Sequence, residues 1–110
     1  MGNDAGPGDD YLELLRRWIS RFQHYPEEAE KQGQRGVVLL DIDIARDGTV
    51  LDVRVARSSG YPLLDEAALQ TVRDSSPVPP FPTQYRRERG TIEVPQTYSP
   101  GLFQRLFGSR

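Results

Sequence analysis

The chain contains no cysteine, and His24 is its only histidine among 110 residues. Without a thiol it can form no disulfide scaffold, no thiol nucleophile and no sulfur-ligated zinc site. One imidazole, with neither a second histidine nor a cysteine to share a metal ion, is a poor basis for catalytic zinc. We therefore interpret His24 as a solvent-facing residue near a helix end, and we expect no cofactor and no metal.

Long apolar runs and excess positive charge are also missing. No run approaches the roughly 18 apolar residues that a membrane span needs, and the first residues lack the basic start and apolar stretch of a signal peptide. The formal net charge of −2 provides no basic field for sequence-independent binding of nucleic acid. We expect the chain as given to be soluble and to have no nucleic-acid partner.

Composition divides the chain into three parts. Residues 1–9 are rich in Gly, Asp and Pro, which predicts a disordered linker stub or an artificial start. Residues 10–99 are predicted to form one domain, enough for a single modest core. In the tail, 100–110, apolar residues at helical spacing predict a short amphipathic helix: Leu102, Phe103, Leu106 and Phe107.

Two stretches have the apolar periodicity of helices. The first begins after Asp9 and Asp10, which are placed to cap it and to complement its dipole, and its predicted apolar stripe is Leu12, Leu15, Ile19 and Phe22. Pro26 ends this helix and can open a further helical turn. The second stretch, Leu64–Arg73, places small alanines on one side, which favours close packing on a sheet.

Between the helices, two alternating runs flank Asp47-Gly48, a pair typical of a hairpin with a type I′ turn. In the first strand Val38, Leu40, Ile42 and Ile44 are predicted on the core face, with Asp41 and Asp43 opposite. In the second strand the predicted core residues are Leu51, Val53 and Val55, with Asp52 and Arg54 outward. Such a sheet needs a cover on its apolar face, and the helices are the candidates.

A third strand is predicted over Gly90–Tyr98, after a proline-rich connector. Pro95 lies within it, and a proline, which donates no backbone hydrogen bond, is confined to edge strands. We expect Pro95 and Thr97 to be directed alike, and Val94 and Gln96 oppositely. An open edge of this kind is a template on which another extended chain can add as a strand.

Catalytic and metal-binding interpretations have weaker support. Asp41, Asp43, Asp47 and Asp52 suggest a calcium or magnesium site or an acid–base pair, but strand alternation and a turn aspartate already explain their spacing. Ser58-Ser59-Gly60 lacks the Gly-x-Ser-x-Gly pattern of a nucleophile elbow. We predict that the protein is not an enzyme and has no catalytic residues, while a small hydrolytic or metal-binding domain is the less favoured alternative.

Five motifs in order resemble the C-terminal domain of the TonB family: Tyr25-Pro26-x-x-Ala29, Gly36-x-Val38, Asp47-Gly48-x-Val50, Ser58-Ser59-Gly60 and Leu64-Asp65-x-Ala67-Ala68. The resemblance spans about Tyr11 to Tyr98. It implies an α+β fold in which a three-stranded antiparallel sheet packs on two helices. The tail extends past the usual end of that domain.

The resemblance also implies a function. TonB proteins are held in the inner membrane by one N-terminal helix, which this chain would lack, and are powered by ExbB and ExbD through that missing region. Their periplasmic domain binds the TonB box of an outer-membrane receptor by strand addition and passes on force from the proton-motive force. The imported substrate would be a siderophore, haem or cobalamin. The alternatives are a TolA-like or other envelope scaffold domain and, as to assembly, a homodimer formed through the open edge.

Carried onto this sequence, the resemblance implies a peptide-binding edge strand: Thr91, Ile92, Glu93, Val94, Gln96, Thr97 and Tyr98. Well-studied members carry Gln-Pro-x-Tyr-Pro, and here the segment is Phe22-Gln23-His24-Tyr25-Pro26, which keeps only the Tyr-Pro. The implied receptor contacts in this segment are Gln23, His24, Tyr25 and Pro26.

Overall fold

A computed structural model describes residues 6–99. Its elements, in chain order, are α1 (Asp9–Ser20), α2 (Glu27–Lys31), β1 (Gly36–Ala45), β2 (Val50–Arg57), α3 (Pro62–Ser75) and β3 (Arg89–Tyr98). The predicted α+β class, with an antiparallel three-stranded sheet and helices, is confirmed. Gly8 caps α1 and Asp9 is already helical, so Asp9 was wrongly predicted as a cap. The predicted tail helix lies outside the described residues.

The sheet has the strand order β2-β1-β3, so β1 lies in its centre. β1 and β3 pair through ten consecutive residues without interruption, from Gly36 opposite Tyr98 to Ala45 opposite Arg89. The pairing of β1 with β2 covers only six residue pairs and has two register shifts. The long-range pairing with β3 is therefore the more regular of the two ladders.

The core lies between one face of the sheet and helices α1 and α3. Its strand residues from β1 are the four that alternation predicts: Val38, Leu40, Ile42 and Ile44, each fully buried. On β2, Val53 and Val55 stand opposite Ile42 and Leu40 as predicted. The prediction for Leu51 was wrong. Val50 stands opposite Ile44 and Asp52 opposite Asp43, so Leu51 is an extra residue at a bulge and is 46% exposed.

Helix α1 confirms most of the predicted apolar stripe, since Leu15 and Ile19 are fully buried and Leu12 packs against the core. Tyr11, Leu15 and Ile19 are buried, whereas Phe22 lies beyond the end of the helix and is 37% exposed. The Tyr11 hydroxyl donates to the Pro79 carbonyl at 2.7 Å, and burial raises the pKa of Tyr11 to about 12. The hydroxyl of Tyr11 thus links α1 to the proline-rich connector, a role that apolar periodicity does not indicate.

The hairpin between β1 and β2 is confirmed, but its turn differs from the predicted type I′ form. The Gly48 amide donates to the Ala45 carbonyl at 2.9 Å, so Arg46 and Asp47 are the central residues and Gly48 follows them. Gly48 has φ of +98°. Its carbonyl accepts from the Val78 amide at 2.8 Å, which fixes the connector against the turn. This close approach demands glycine as much as the turn does.

We predict that Gly48→Ala destabilises the fold much more than Gly60→Ala. Both glycines have positive φ, and for alanine that strain costs about 1–2 kcal/mol. A Cβ at Gly48 would also lie 2.0 Å from the Val78 carbonyl oxygen, whereas a Cβ at Gly60 would meet nothing within 4 Å. Overpacking adds about 1–3 kcal/mol at Gly48 alone. Urea unfolding measures both changes, and equal losses would contradict the close approach.

A carboxylate joins the end of β2 to helix α3. Asp65 in α3 accepts hydrogen bonds from the Ser59 amide at 2.9 Å, from the Ser59 hydroxyl at 2.8 Å and from the Ser58 hydroxyl. Partial burial raises the pKa of Asp65, but these hydrogen bonds lower it, and the net shift is downward. The Ser-Ser-Gly break is therefore a structural turn fixed by Asp65.

We predict that Asp65→Asn lowers the free energy of unfolding by about 1–2 kcal/mol near neutral pH. Because the pKa of Asp65 is lowered in the folded state, its contribution is present above about pH 4 and is lost as the pH falls through the folded pKa. The difference between wild type and variant should therefore shrink below that pH. Urea unfolding between neutral and strongly acidic pH tests this, and a constant difference would contradict it.

Candidate functional site

The sheet ends in two edge strands, and they differ in regularity. β2 is interrupted by bulges near both ends of its pairing with β1, and bulges twist an edge away from further pairing. β3 runs for ten residues with no register shift, and no strand within residues 6–99 pairs with its other side. The outer side of β3 is therefore the better template for an added strand.

The direction of each backbone group of β3 follows from the register. Just beyond the last strand pair, the Arg46 amide donates to the Glu88 carbonyl at 2.8 Å. Since hydrogen-bonded and non-bonded pairs alternate in an antiparallel ladder, the backbone groups of Ile92, Val94 and Gln96 face β1. The backbone groups of Thr91, Glu93, Pro95 and Thr97 face away, and these four residues define the outer edge of β3. Proline is tolerated at position 95 because the backbone nitrogen there faces away from β1 and need not donate to the ladder.

This geometry divides the predicted edge-strand residues into two sets. Thr91, Glu93 and Thr97 have exposed side chains and outward backbone groups. The side chains of Ile92, Val94, Gln96 and Tyr98 are buried on the helix side of the sheet, and their backbone groups face β1. Only the first set, with the Pro95 carbonyl, can offer backbone hydrogen bonds to an added strand.

The four predicted receptor contacts lie in the connection between α1 and α2, and one reaches the outer edge. The Gln23 side-chain amide donates to the Thr97 carbonyl at 2.9 Å. His24 is exposed, and Pro26 caps α2. Tyr25 is buried: its hydroxyl donates to the Gln34 carbonyl and its ring packs edge-on against Tyr98 at 5.5 Å. Tyr25 is therefore a core residue, and Gln23 is the one that approaches the edge.

Beside the outer edge lies the exposed face of the sheet, the side opposite the helices. Asp43 there accepts from the Thr91 hydroxyl at 2.6 Å and pairs with Arg54 at 3.3 Å and Arg89 at 3.7 Å. The hydrogen bond from Thr91, then that from Arg54, lowers the pKa of Asp43. Arg54 also pairs with Asp52 at 2.7 Å. Ion pairing on this face thus engages two of the four hairpin aspartates, Asp43 across strands and Asp52 within β2.

The third hairpin aspartate, Asp47, accepts from the amide and the hydroxyl of Thr49. Backbone hydrogen bonding from Thr49, followed by its hydroxyl, lowers the pKa of Asp47. Across residues 6–99, no group of three or more His, Asp or Glu side chains is arranged to hold a metal ion. In the same part of the chain, no helix is long and apolar enough to cross a membrane.

A small α+β domain with an unpaired edge on a three-stranded sheet is the class that these features define. The family model described as the Gram-negative bacterial TonB protein C-terminal matches residues 22–100. The chain therefore belongs to the TonB C-terminal domain family, as its motifs indicated. Protein TonB of Pasteurella multocida (strain Pm70) is 31% identical over 97 residues, which cover 88% of this chain and 37% of that protein. The chain thus spans about a third of this relative.

Solved structures share the fold. The solution structure of the Helicobacter pylori TonB C-terminal domain, residues 179–285, has a TM-score of 0.73 and 29% identity, covering 84% of this chain and 82% of that one. The structure of TolAIII bound to a peptide derived from the N-terminus of TolB has a TM-score of 0.62, covering 87% of this chain and 78% of that one. At 22% identity, the second likeness shows the fold alone.

Sequence reasoning did not identify the contact of Gln23 with Thr97. The two residues are 74 positions apart, and no local pattern links a glutamine after a helix to a carbonyl on the third strand. The sequence did contain one indication that the chain turns near Gln23, because Pro26 follows three residues later and disfavours a continued helix. The contact itself depends on tertiary packing, which places the segment after α1 beside β3.

We predict alternating protection from hydrogen exchange along β3. The amides of Ile92, Val94 and Gln96 donate to β1 and should exchange slowly, whereas those of Thr91, Glu93 and Thr97 face outward and should exchange fast. Exchange followed by NMR of the isolated chain measures every one of these amides. Uniform slow exchange would contradict an unpaired outer edge, because it requires a partner on both sides.

Proposed function

We propose that this chain is the periplasmic domain of an energy transducer and binds the TonB box of an outer-membrane receptor by strand addition to β3. The observation that carries the proposal is the outer edge of β3, whose backbone groups face away from the sheet over Thr91–Thr97. Backbone hydrogen bonds would supply affinity, and alternate side chains would supply selectivity. Membership of the TonB family supports this assignment.

The outer edge offers an uneven set of backbone groups to a guest strand. Outward carbonyls come from all four of its residues, but outward amides come only from Thr91, Glu93 and Thr97 because Pro95 has none. Gln23 already occupies the Thr97 carbonyl. A guest that pairs as far as Thr97 would compete with the Gln23 side chain for this carbonyl, so Gln23 would act at the end of the binding site.

In this proposal, the whole protein uses the bound segment as a point of attachment for force. An inner-membrane helix outside this chain would anchor it, and ExbB and ExbD would supply energy from the proton-motive force. The receptor would then admit a siderophore, haem or cobalamin. The domain itself catalyses no reaction in this scheme, because its task is to bind and to transmit.

A TolA-like scaffold domain is the second candidate, and the likeness in fold to peptide-bound TolAIII favours it. Both candidates would bind a peptide, so peptide identity separates them. We expect TonB-box peptides from receptors of the same cell to bind and a TolB-derived N-terminal peptide not to bind. The opposite ranking would favour the scaffold. A homodimer through the outer edge would compete with either peptide and would appear as a concentration-dependent mass.

We predict that Thr97→Pro weakens binding of a TonB-box peptide by about 2–10-fold, the equivalent of one net hydrogen bond. The substitution removes an outward amide while leaving the ladder with β1 intact, because the Thr97 amide does not face β1. Isothermal titration measures the affinity, and amide-shift mapping locates the peptide on β3.

Thr97→Val is the matched control, since it changes the same side chain but keeps the backbone donor. We expect its affinity to stay close to that of wild type, and both variants to keep the wild-type unfolding midpoint within a small margin. Equal affinities for Thr97→Pro and wild type would place the peptide elsewhere. Saturable shifts confined to helices or to β2 would also overturn strand addition at β3.

A further inference from the structure

Two carboxylates lie directly across from each other beside the outer edge. Asp41 on β1 stands opposite Glu93 on β3, and both side chains point to the exposed face. This is a non-hydrogen-bonded pair of the ladder, the kind in which side chains come closest. Like charges directly opposite each other are destabilising. We therefore expect the pair to lower the stability of the free domain.

No described cation neutralises this pair. Arg54 stands directly opposite Asp41 on the other side, but its guanidinium is bound to Asp43 and Asp52. Arg89 is likewise directed to Asp43. Arg57 lies on β2 opposite Leu39 rather than Asp41, and β1 separates it from Glu93. Within residues 6–99, therefore, neither Asp41 nor Glu93 takes part in an ion pair.

An apolar patch adjoins the acidic pair, two residues along the same strands. Leu39 stands opposite Pro95 on the exposed face, and Val37 stands opposite Thr97. Val37 is 45% exposed, and Leu39 is partly exposed. A strand added beside β3 would place every second side chain on this face. One of these would lie beside Glu93, and the next would lie beside Pro95.

We propose that the segment recognised at the outer edge carries a lysine or arginine beside Glu93 and an aliphatic residue two positions away beside Pro95. Charge complementarity selects the basic residue, since it would relieve the repulsion between Asp41 and Glu93 on binding. The apolar ring of Pro95, directly beside the guest and opposite Leu39, selects the aliphatic residue. The spacing of two holds for either direction of the added strand. This inference rests on the proposed strand addition and specifies the chemistry of the guest.

Capped synthetic heptapeptides of the sequence Thr-Val-Thr-X-Thr-Val-Thr, with valine two positions from X on either side, test the proposal. Three versions differ only at the central residue, which is lysine, glutamine or glutamate. We expect the lysine version to bind wild type about 3–10-fold more tightly than the glutamate version, with glutamine between them. The preference should shrink at high salt because the charges lie at the surface.

Glu93→Lys should reverse the order of the three peptides. Glu66→Lys makes the same charge change at an exposed position of α3 and serves as the matched control, for which the order should stay as in wild type. Without peptide, Glu93→Gln should raise the urea midpoint by relieving the repulsion, whereas Glu66→Gln should leave it nearly unchanged. This second readout tests the premise without any ligand.

Amide shifts along β3 distinguish a failure of the charge preference from a failure of strand addition. Equal binding of the three peptides, with shifts over Thr91–Thr97, would overturn the charge preference and leave strand addition standing. Tighter binding of the glutamate version to wild type would do the same. No shift with any peptide would count against this inference, and the TonB-box titration would then decide whether strand addition fails as well.

Discussion

The uninterrupted register between β1 and β3 is the constraint on which the site depends. It fixes which residues of β3 turn their backbone groups toward β1 and which turn them outward. A shift of one residue would point Pro95 at β1, where its missing donor would leave a ladder carbonyl unpaired. The same shift would move Ile92 and Val94 out of the core. Core packing and edge chemistry therefore select one register together.

Much of this arrangement could be predicted because it follows from local patterns in the sequence. Alternation in β1 identifies its buried face, and Pro95 marks the strand with an unpaired side. Features that depend on contacts between residues far apart in the chain could not be predicted from these patterns. The bulge at Leu51 arises from the pairing of β2 with β1. The need for glycine at position 48 arises from a carbonyl 30 residues later in the chain, that of Val78.

The surroundings of the aromatic residues could not be predicted from local patterns either. Helical periodicity placed Phe22 in the core, but the helix ends at Ser20 and Phe22 is partly exposed. The family resemblance implied a receptor contact at Tyr25, and the structure packs this residue on Tyr98 with its hydroxyl bonded to the Gln34 carbonyl. An amphipathic ring can satisfy either environment. Whether the ring is buried or exposed depends on where the chain turns, and turns lack the periodicity that identifies helices and strands.

Backbone pairing alone gives a guest strand little net affinity. With Pro95 lacking an amide and Gln23 on the Thr97 carbonyl, three outward amides and three unoccupied carbonyls remain on the outer edge. Six hydrogen bonds at about 1 kcal/mol each contribute about 6 kcal/mol, whereas association costs about 4–15 kcal/mol. In the proposed complex, side chains must supply the rest, and those of the guest would lie beside Glu93 and Pro95 on the exposed face. An edge that holds its guest mainly through side chains can be selective and still release it.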